Sequence, residues 1–462
     1  MLETAILKEL EQIVGKKHVL TSLEDLIAYS YDSTFAECRP EAVASPASTE
    51  EVSAVMQVAH AHRIPVVPRG MGSGLAAGSI PFAGGLVLNL TRLNRILEID
   101  EANMVGVAEA GVVTADFQAE VETRGLFYPP DPSSINHSTL GGNAACDAGG
   151  PRCLKYGVTS DYVLGLRVVL ADGRVLRCGG KAIKNVTGYN LTQLFIGSEG
   201  TLGVITELTL RLIAKPVAVR TSTAVFPRLE DASNTVNRIL TGGIVPATLE
   251  LMDNTTIRTI EAYLHMGLPT EAEAILILEA DGTDLGTVER EIEAIARICR
   301  EQGASEVRVA ANEAERAELW RARRSVGPSL ARVRPNKLGE DISVPRSAIP
   351  EAVRRIRAIS QKYNLPIAVF GHAGDGNLHP NILFDKRDPE EWERVEQATR
   401  EIFATALGLG GTLTGEHGVG VLKQPFLKDD LGPVAIEVMK RIKTALDPLG
   451  ILNPGKIFPP EV

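Results

Sequence analysis

Near the N-terminus apolar positions recur at helical spacing. Ile6, Leu7, Leu10, Ile13 and Val14 make one stripe that stops at Gly15, and Ser22 followed by Asp25 marks a second helix start. Ser48 with Glu51 forms a capping box ahead of Val52, Val55, Met56 and Ala59, so a third helix is predicted to run from there and to end before Pro65. The pattern then changes. Ile64 to Pro68 reads as a short strand entering the loop RGMGSG, and Gly85 to Leu90 as the strand after it. Between Gly141 and Gly203 thirteen glycines interleave with short Val/Leu runs such as Leu164 to Leu170, which ends in the turn Ala171-Asp172-Gly173. Glycine thins out after Leu212, and Lys215-Pro216 is a plausible boundary. Beyond it a strand from Glu273 to Ala280, a turn at Asp281-Gly282, a helix from Leu285 to Arg300 and a strand from Glu306 to Ala310 predict a βαβ core. Pro366 to Phe384 reads as two strands around a glycine loop, and Asp447 to Phe458 as a Pro/Gly-punctuated tail.

These elements predict an α+β chain divided into residues 1–217, 218–440 and a tail, 441–462. The length of 462 residues agrees with two large domains or three ordinary ones. Hydrophobic and charged fractions of 44% and 23% are those of a globular protein. A formal charge of −10 argues against nucleic-acid binding, which needs a basic face to release counterions, but leaves room for a local anion site. No apolar run approaches the roughly 18 residues of a membrane span. Charges at Glu3, Lys8 and Glu9 interrupt any signal-peptide core, so a cytoplasmic location is expected. Five cysteines without a Cys-x-x-Cys pair indicate neither a disulfide framework nor an iron–sulfur cluster. A redox role therefore needs another electron carrier.

Two regions hold candidate chemistry. The loop RGMGSGLAAG (69–78) follows a strand, where successive backbone N–H groups can converge on phosphate oxygens and glycine admits both close approach and positive φ. It lacks the Lys-Ser/Thr of a Walker loop, and by itself it also reads as an ordinary turn. Two further segments accompany it: YPPDPSSINHSTLGGNAACDAGG (128–150) and GYNLTQLFIGSEGTLGVITELTLRL (188–212). His137 in the first reads as catalytic or as a surface turn residue, and Cys146 and Cys153 as a redox pair or as packing. The second region is His372-Ala-Gly-Asp-Gly-Asn-Leu-His379 with Gly415-Glu416-His417-Gly418 some forty residues later. Two imidazoles across a GDG turn can converge on one ion, and two histidines with one carboxylate leave open positions for catalysis. The alternative is a pair of buried histidines bonded within a tight hairpin. Asp375 reads as a turn residue.

In order, spacing and wording the three glycine segments resemble the FAD-binding domain of the vanillyl-alcohol oxidase and para-cresol methylhydroxylase (PCMH) superfamily. The resemblance implies a PCMH-type, two-subdomain FAD-binding domain and a ferredoxin-like α+β cap domain for substrate. It further implies that Pro68, Arg69, Gly70, Met71, Gly72, Ser73 and Gly74 wrap the FAD pyrophosphate. Asp131, Ser134, Thr139, Gly142, Asn143 and Gly149 would line the isoalloxazine and ribityl path, and Gly203, Val204 and Ile205 would meet the cofactor through their backbone. Some members hold FAD through a histidine in the first loop; Met71 and Ser73 stand there, so non-covalent FAD is expected.

FGHAGDGNLHPNI and GGTLTGEHGVG are similar to the C-terminal domain of the FAD-linked 2-hydroxyacid dehydrogenases and oxidases, and LELMDN (249–254), AEAILILEADG, NEAER (312–316) and CLKYG (153–157) resemble its glycolate oxidase branch most. By that resemblance His372, His379 and Glu416 hold a divalent metal (zinc, manganese or iron), and His417 is the base beside the flavin. Among Arg321, Arg323 and Arg324, Arg323 matches the arginine that pairs with the substrate carboxylate. Asn381 matches an asparagine near substrate, and Asn453 a residue that returns to the flavin site. Gly327 and Gly339 stand where the hydroxyglutarate enzyme carries threonine and lysine, the latter just before the Asp-x-Ser-x-Pro segment, which weakens a dicarboxylate substrate. The implied activity is oxidation of a short D-2-hydroxy acid, glycolate or D-lactate, with electrons passed to a separate acceptor protein or iron–sulfur subunit that could also bring the chain to a membrane. The rivals are a D-2-hydroxyglutarate dehydrogenase, a metal-dependent hydrolase with a bound nucleotide, and a silent subunit that only tethers FAD.

Overall fold

The structure, a computed structural model, describes residues 2–459. The chain folds as two compact units: Met1–Gly149 with Val158–Lys215 and Glu416–Val462, and Gly150–Gly157 with Pro216–Gly415. The change of unit at Lys215/Pro216 falls where glycine thins out. The later one comes at Gly415/Glu416, earlier than a tail beginning at residue 441. Two anchors explain it: the Gly415 N–H is held by Asp341 of the second unit at 2.8 Å, and the N–H groups of Val419 and Gly420 by Glu199 of the first. Residues 150–157 join the second unit because Lys155 and Tyr156 both bind the Asp281 carboxylate, at 2.5 and 2.8 Å.

In the first unit the predicted helices form at Thr4–Val14, Leu23–Ala28 and Thr49–His62. Ser22 caps Asp25 and Ser48 caps Glu51, as the spacing requires. The Glu51 carboxylate reaches back to the Ala47 N–H at 2.7 Å, one residue short of a closed capping box. Ile6, Leu10, Val14, Val52, Val55, Met56 and Ala59 bury their apolar faces on a four-stranded sheet in the order Val19–Leu20, Ala42–Ala44, Leu86–Asn89, Val66–Arg69. Its last three strands are parallel. That direction sends the ends of Val66–Arg69 and Leu86–Asn89 to one edge, where the glycine loop begins. A second, antiparallel sheet of five strands runs Ile96–Asp100, Val105–Glu109, Val204–Arg211, Val163–Val169, Val175–Gly179. Past the helix Leu427–Leu446 the tail has no regular element among the described residues but is not loose: Ile451 and Leu452 are in the core, and Leu452 bridges Val66.

The second unit is an eight-stranded, antiparallel sheet. Its first four strands lie side by side as Glu306–Val309, Ala218–Phe226, Ala274–Gly282, Thr248–Asp253. In chain order that is 4-1-3-2, the arrangement of a ferredoxin-like unit. The expected βαβ is present as Ala274–Gly282, helix Leu285–Glu301 and Glu306–Val309, but Ala218–Phe226 lies between its two strands. Asp281-Gly282 is not a turn. Both residues continue the strand, paired with Val219 and Ala218. The sheet extends through the hairpin strands Ile367–His372 and Asn377–Phe384 to Asn336–Gly339. Helices Leu229–Thr241, Leu285–Glu301, Ile349–Tyr363 and Pro389–Gly408 form one packed group, and Asn254–Leu264, Glu313–Arg324 and Val326–Val333 another. The second group covers the face carrying Met252, Ile275, Ile277, Ala368 and Leu383.

Candidate functional site

In the first unit the loop after Val66–Arg69 is built over its own arginine. A Cβ at Gly72, where φ is +72°, would collide with the Arg69 guanidinium, and one at Gly70 would lie 2.5 Å from Thr139 Oγ1. Arg69 is buried, donates to Ser79 at 3.2 Å and lies 5.7 Å from the centre of the Tyr29 ring. A fixed positive charge thus underlies the predicted phosphate loop. Asp32, also buried, answers it electrostatically, although burial raises its carboxyl pKa. Gly74 has open space where a side chain would go, and Met71 is exposed.

The segment 128–150 is pinned from behind. Gln118 donates to the carbonyls of Tyr128 and Pro130 at 2.8 and 2.9 Å. Ser134 turns the chain by accepting from the N–H groups of His137 and Ser138. Asp131 and Ser134 are half-buried; His137 is exposed in the turn. Thr139 caps the helix Leu140–Cys146 through the Gly142 N–H, and buried Asn143 donates to Thr114 at 2.7 Å. Gly149 is buried where this unit gives way to the next. All five cysteines are free thiols, and burial pushes that of Cys146 up to about 12.

Gly203 is needed for packing, since a Cβ there would stand 2.5 Å from Val168. Val204 and Ile205 are buried in the strand that pairs with Val163–Val169. Pairing with Val105–Glu109 starts only at Glu207, so the other backbone edge of Val204 and Ile205 has no strand neighbour among the described residues. Asn453, at φ +41°, donates to the carbonyls of Gly78 and Glu199 at 2.9 and 2.7 Å. Its buried Oδ1 has no hydrogen-bond partner among the described residues. The orphaned oxygen, the open space at Gly74 and the free strand edge fit a bound polar cofactor.

Sequence reasoning missed Glu199. It sits between Ser198 and Gly200 in left-handed backbone, φ +50°, and is buried, with its carboxylate accepting from the N–H groups of Val419 and Gly420 at 2.7 and 2.8 Å. It therefore anchors the segment that carries Glu416 and His417, whose side chains approach to 3.9 Å. Burial raises its pKa against the pull of those two N–H groups.

The second unit brings His372 and His379 together. They face each other across the hairpin with Nε2 atoms 3.4 Å apart. Two nitrogens at ~2.0–2.1 Å from one tetrahedral ion are separated by about 3.3 Å. Behind each ring lies a buried carboxylate: Glu250 bonds His372 Nδ1, and Asp341 Oδ1 is 3.7 Å from His379 Nδ1. Asp341, from the Asp-x-Ser-x-Pro segment, also accepts from Asn377, Thr414 and the Gly415 N–H at 2.5, 2.6 and 2.8 Å. The next residue in the chain is Glu416. A carboxylate behind the outer nitrogen of an imidazole, as at His372, is an arrangement common to metal-ligating histidines.

Arg323 alone of the three arginines turns inward. Its Nε donates to Glu250 at 2.6 Å, and its guanidinium lies 4.7 Å from the centre of Phe370. Arg321 and Arg324 are spent on Glu318 and the Ala317 carbonyl, on the exposed side. Asn381 is buried on the same strand face as His379, donates to the His379 carbonyl at 2.8 Å, and would sit 3.0 Å from a Cβ at Gly339. Asp375 serves its turn by accepting from the Asn377 N–H. Two groups escaped the sequence reading. Lys337, two residues before Gly339 on the same face, has its ammonium pKa lowered by burial. Glu250 has burial working against its charge, yet His372 and Arg323 hold its carboxyl down at about 2. Its signal was a lone acid among the apolar residues of Leu249-Glu250-Leu251-Met252, since a buried charge must be paired.

Residues 215–457 match the family described as FAD linked oxidases, C-terminal domain, and residues 40–179 the family described as FAD binding domain. The glycolate oxidase subunit GlcD of Bacillus subtilis is 48% identical over 99% of this chain and 97% of its own length. A D-lactate dehydrogenase of Anaerostipes hadrus is 36% identical over 96% of this chain and 95% of its own. In fold, the chain is similar to p-cresol methylhydroxylase, with a TM-score of 0.83 at 18% identity over 98% of this chain and 96% of that one.

Proposed function

The chain belongs to the FAD-linked oxidases, and from that premise we propose that it oxidises a short D-2-hydroxy acid, glycolate or D-lactate, to the 2-oxo acid. The observation that carries the reading is the pair of facing imidazoles, each backed by a carboxylate, on the strand face that also holds Asn381 and is approached by Arg323. Bound without a covalent link along the glycine loops of the first unit, FAD supplies the acceptor for the hydride of the substrate Cα. A divalent ion, zinc, manganese or iron, would be held by His372, His379 and Glu416 and would supply Lewis acidity toward the substrate oxygens.

The protein's own groups do the rest. Arg323, with Nε committed to Glu250, keeps its two terminal nitrogens for a carboxylate, which a planar fork pairs with directly. His417, held in place by the Glu199 anchor two residues on, takes the hydroxyl proton. The Gly339 position, crowded against Asn381 and without a side chain, supports a one-carboxylate substrate. The electrons taken up in the reaction would go on to a separate protein, an iron–sulfur subunit or other carrier, in the cytoplasm or at a membrane reached through that partner. No described helix is long and apolar enough to cross a membrane.

The test is an anaerobic titration of flavin absorbance against a panel of 2-hydroxy acids. Glycolate or D-lactate should bleach the flavin, and D-2-hydroxyglutarate should do so poorly. His417→Ala should keep its FAD and lose reduction by at least 100-fold, the scale of a general base. Full-rate bleaching of that variant removes His417 from the reaction, and a flavin that no hydroxy acid reduces removes the activity itself.

A further inference from the structure

We propose that Glu250 is the positioning residue of the second unit's site, a single carboxylate that fixes both the tautomer of His372 and the aim of Arg323. This deepens the proposed function and rests on its reading of His372 as a ligand and Arg323 as the carboxylate reader. Glu250 lies on Thr248–Asp253 in direct register with His372 and is wholly buried. One oxygen bonds His372 Nδ1 and the other accepts from Arg323 Nε at 2.6 Å.

An ionised carboxylate only accepts hydrogen bonds, so it places the imidazole proton on Nδ1 and leaves Nε2 without one. Nε2 is the atom that faces His379 Nε2. The same carboxylate takes the side nitrogen of Arg323, whose guanidinium carbon lies over Phe370, 4.7 Å from the ring centre. The end of the guanidinium, Nη1 and Nη2, makes no bond among the described residues. Glu250 reaches neither substrate nor ion, and acts through the two groups that do.

Glutamine at this position separates the two duties. Arginine has no acceptor, so the amide oxygen must turn to Arg323, and the amide NH2 then faces His372 Nδ1. The imidazole must accept there and carry its proton on Nε2, where it cannot ligate. Arg323 keeps a weaker bond, and His372 loses its ligand tautomer.

The experiment compares full-length, FAD-loaded wild type, Glu250→Gln and Glu250→Asp. Zinc and manganese affinity are measured by competition with a chelator, the His372 tautomer by long-range 1H–15N correlation in metal-free protein, and folding by flavin absorbance and melting. Wild type should carry the His372 proton on Nδ1. Glu250→Gln should move it to Nε2 and lose ten- to a hundredfold in metal affinity, the scale of a lost outer-shell partner. Its KM for D-lactate or glycolate at saturating metal should rise less than that. Glu250→Asp, which still only accepts, should recover part of the metal affinity. The proposal is overturned if Glu250→Gln binds metal within twofold of wild type or shows the wild-type tautomer. A wild-type His372 protonated on Nε2 overturns it without any variant. If wild type binds no divalent ion at all, the metal reading falls separately, and the tautomer still decides the role of Glu250.

Discussion

Buried acids in this protein have different surroundings, and their chemistry follows from them. Glu250 has an imidazole and a guanidinium in hydrogen-bond reach, whereas Asp253, three residues on, has neither: it caps the helix Asn254–Leu264 through Thr256, at 2.9 Å to N–H and 2.7 Å to Oγ1. Burial consequently raises its pKa to about 6, above the effect of those hydrogen bonds. An acid whose folded pKa exceeds its unfolded one stabilises the fold fully below the unfolded value, and that stability is lost as pH rises through the folded one. The window here is pH 4 to 6, and a shift of about two units corresponds to at most about 3 kcal/mol. Asparagine keeps the cap and removes the titration. Melting curves of wild type and Asp253→Asn should therefore diverge in the variant's favour from pH 4 to pH 6 and run parallel above. A difference that does not change across that window would mean Asp253 is ionised in the fold at pH 4.

At the scale of elements, the hairpin Ile367–His372 and Asn377–Phe384 shows what a sequence reveals and what it hides. Two short runs around the GDG turn were enough to place both strands, because a short run bounded by a glycine turn is a local property. The carboxylates behind the rings were not legible. Glu250 comes from a strand over a hundred residues away and Asp341 from a loop over thirty away, and only the tertiary fold brings them there. For the same reason Asp281-Gly282 looked like a turn: a charge before a glycine gives that local signal, and only Lys155 and Tyr156 explain the acid inside a strand. The turn itself makes a prediction. Gly376 has φ +88°, and a Cβ on it would collide with the Val344 carbonyl. Gly267, at φ +76°, has nothing within 4 Å of a Cβ. Gly267→Ala should cost about 1–2 kcal/mol from backbone strain alone, and Gly376→Ala more. The second should also misalign His372 and His379. Turnover of the hydroxy acid should fall in Gly376→Ala with flavin content unchanged, because the proposed FAD residues belong to the other unit. Melting and steady-state assays of the pair measure this, and turnover within twofold of wild type would show that the turn does not set the histidine spacing.

Over the whole molecule, neither unit is a continuous stretch of chain, and the unit that holds most of residues 1–217 also takes in Glu416–Val462. The tail segment was recognisable from its Pro/Gly punctuation, and the resemblance at Asn453 implied its return to the first domain, but which side chains it buries was not legible, since two aliphatics among prolines and glycines carry no periodic signal. Ile451 and Leu452 are nonetheless in the core beside Val66, Leu86 and Val204. The Asp447 carboxylate accepts from both of their N–H groups, at 3.1 and 2.8 Å, and from Lys443. The Asn453 N–H donates to the Val66 carbonyl at 2.7 Å, and Lys456 to that of Ile80 at 2.5 Å. These bonds fix both ends of the predicted phosphate loop, the strand before it and the segment after it. Burying two such aliphatic side chains contributes about 3–6 kcal/mol, and unpairing the buried carbonyls they protect costs more. That approaches the whole stability of an ordinary domain. A chain ending at Leu446 should accordingly retain little flavin and melt far below wild type, while Ile451→Ala and Leu452→Ala should each lose about 2–5 kcal/mol and release FAD more readily. Flavin absorbance per protein after gel filtration gives the answer: a truncated chain that stays fully yellow with an unchanged melting point would show that the first unit folds and holds FAD without its C-terminal segment.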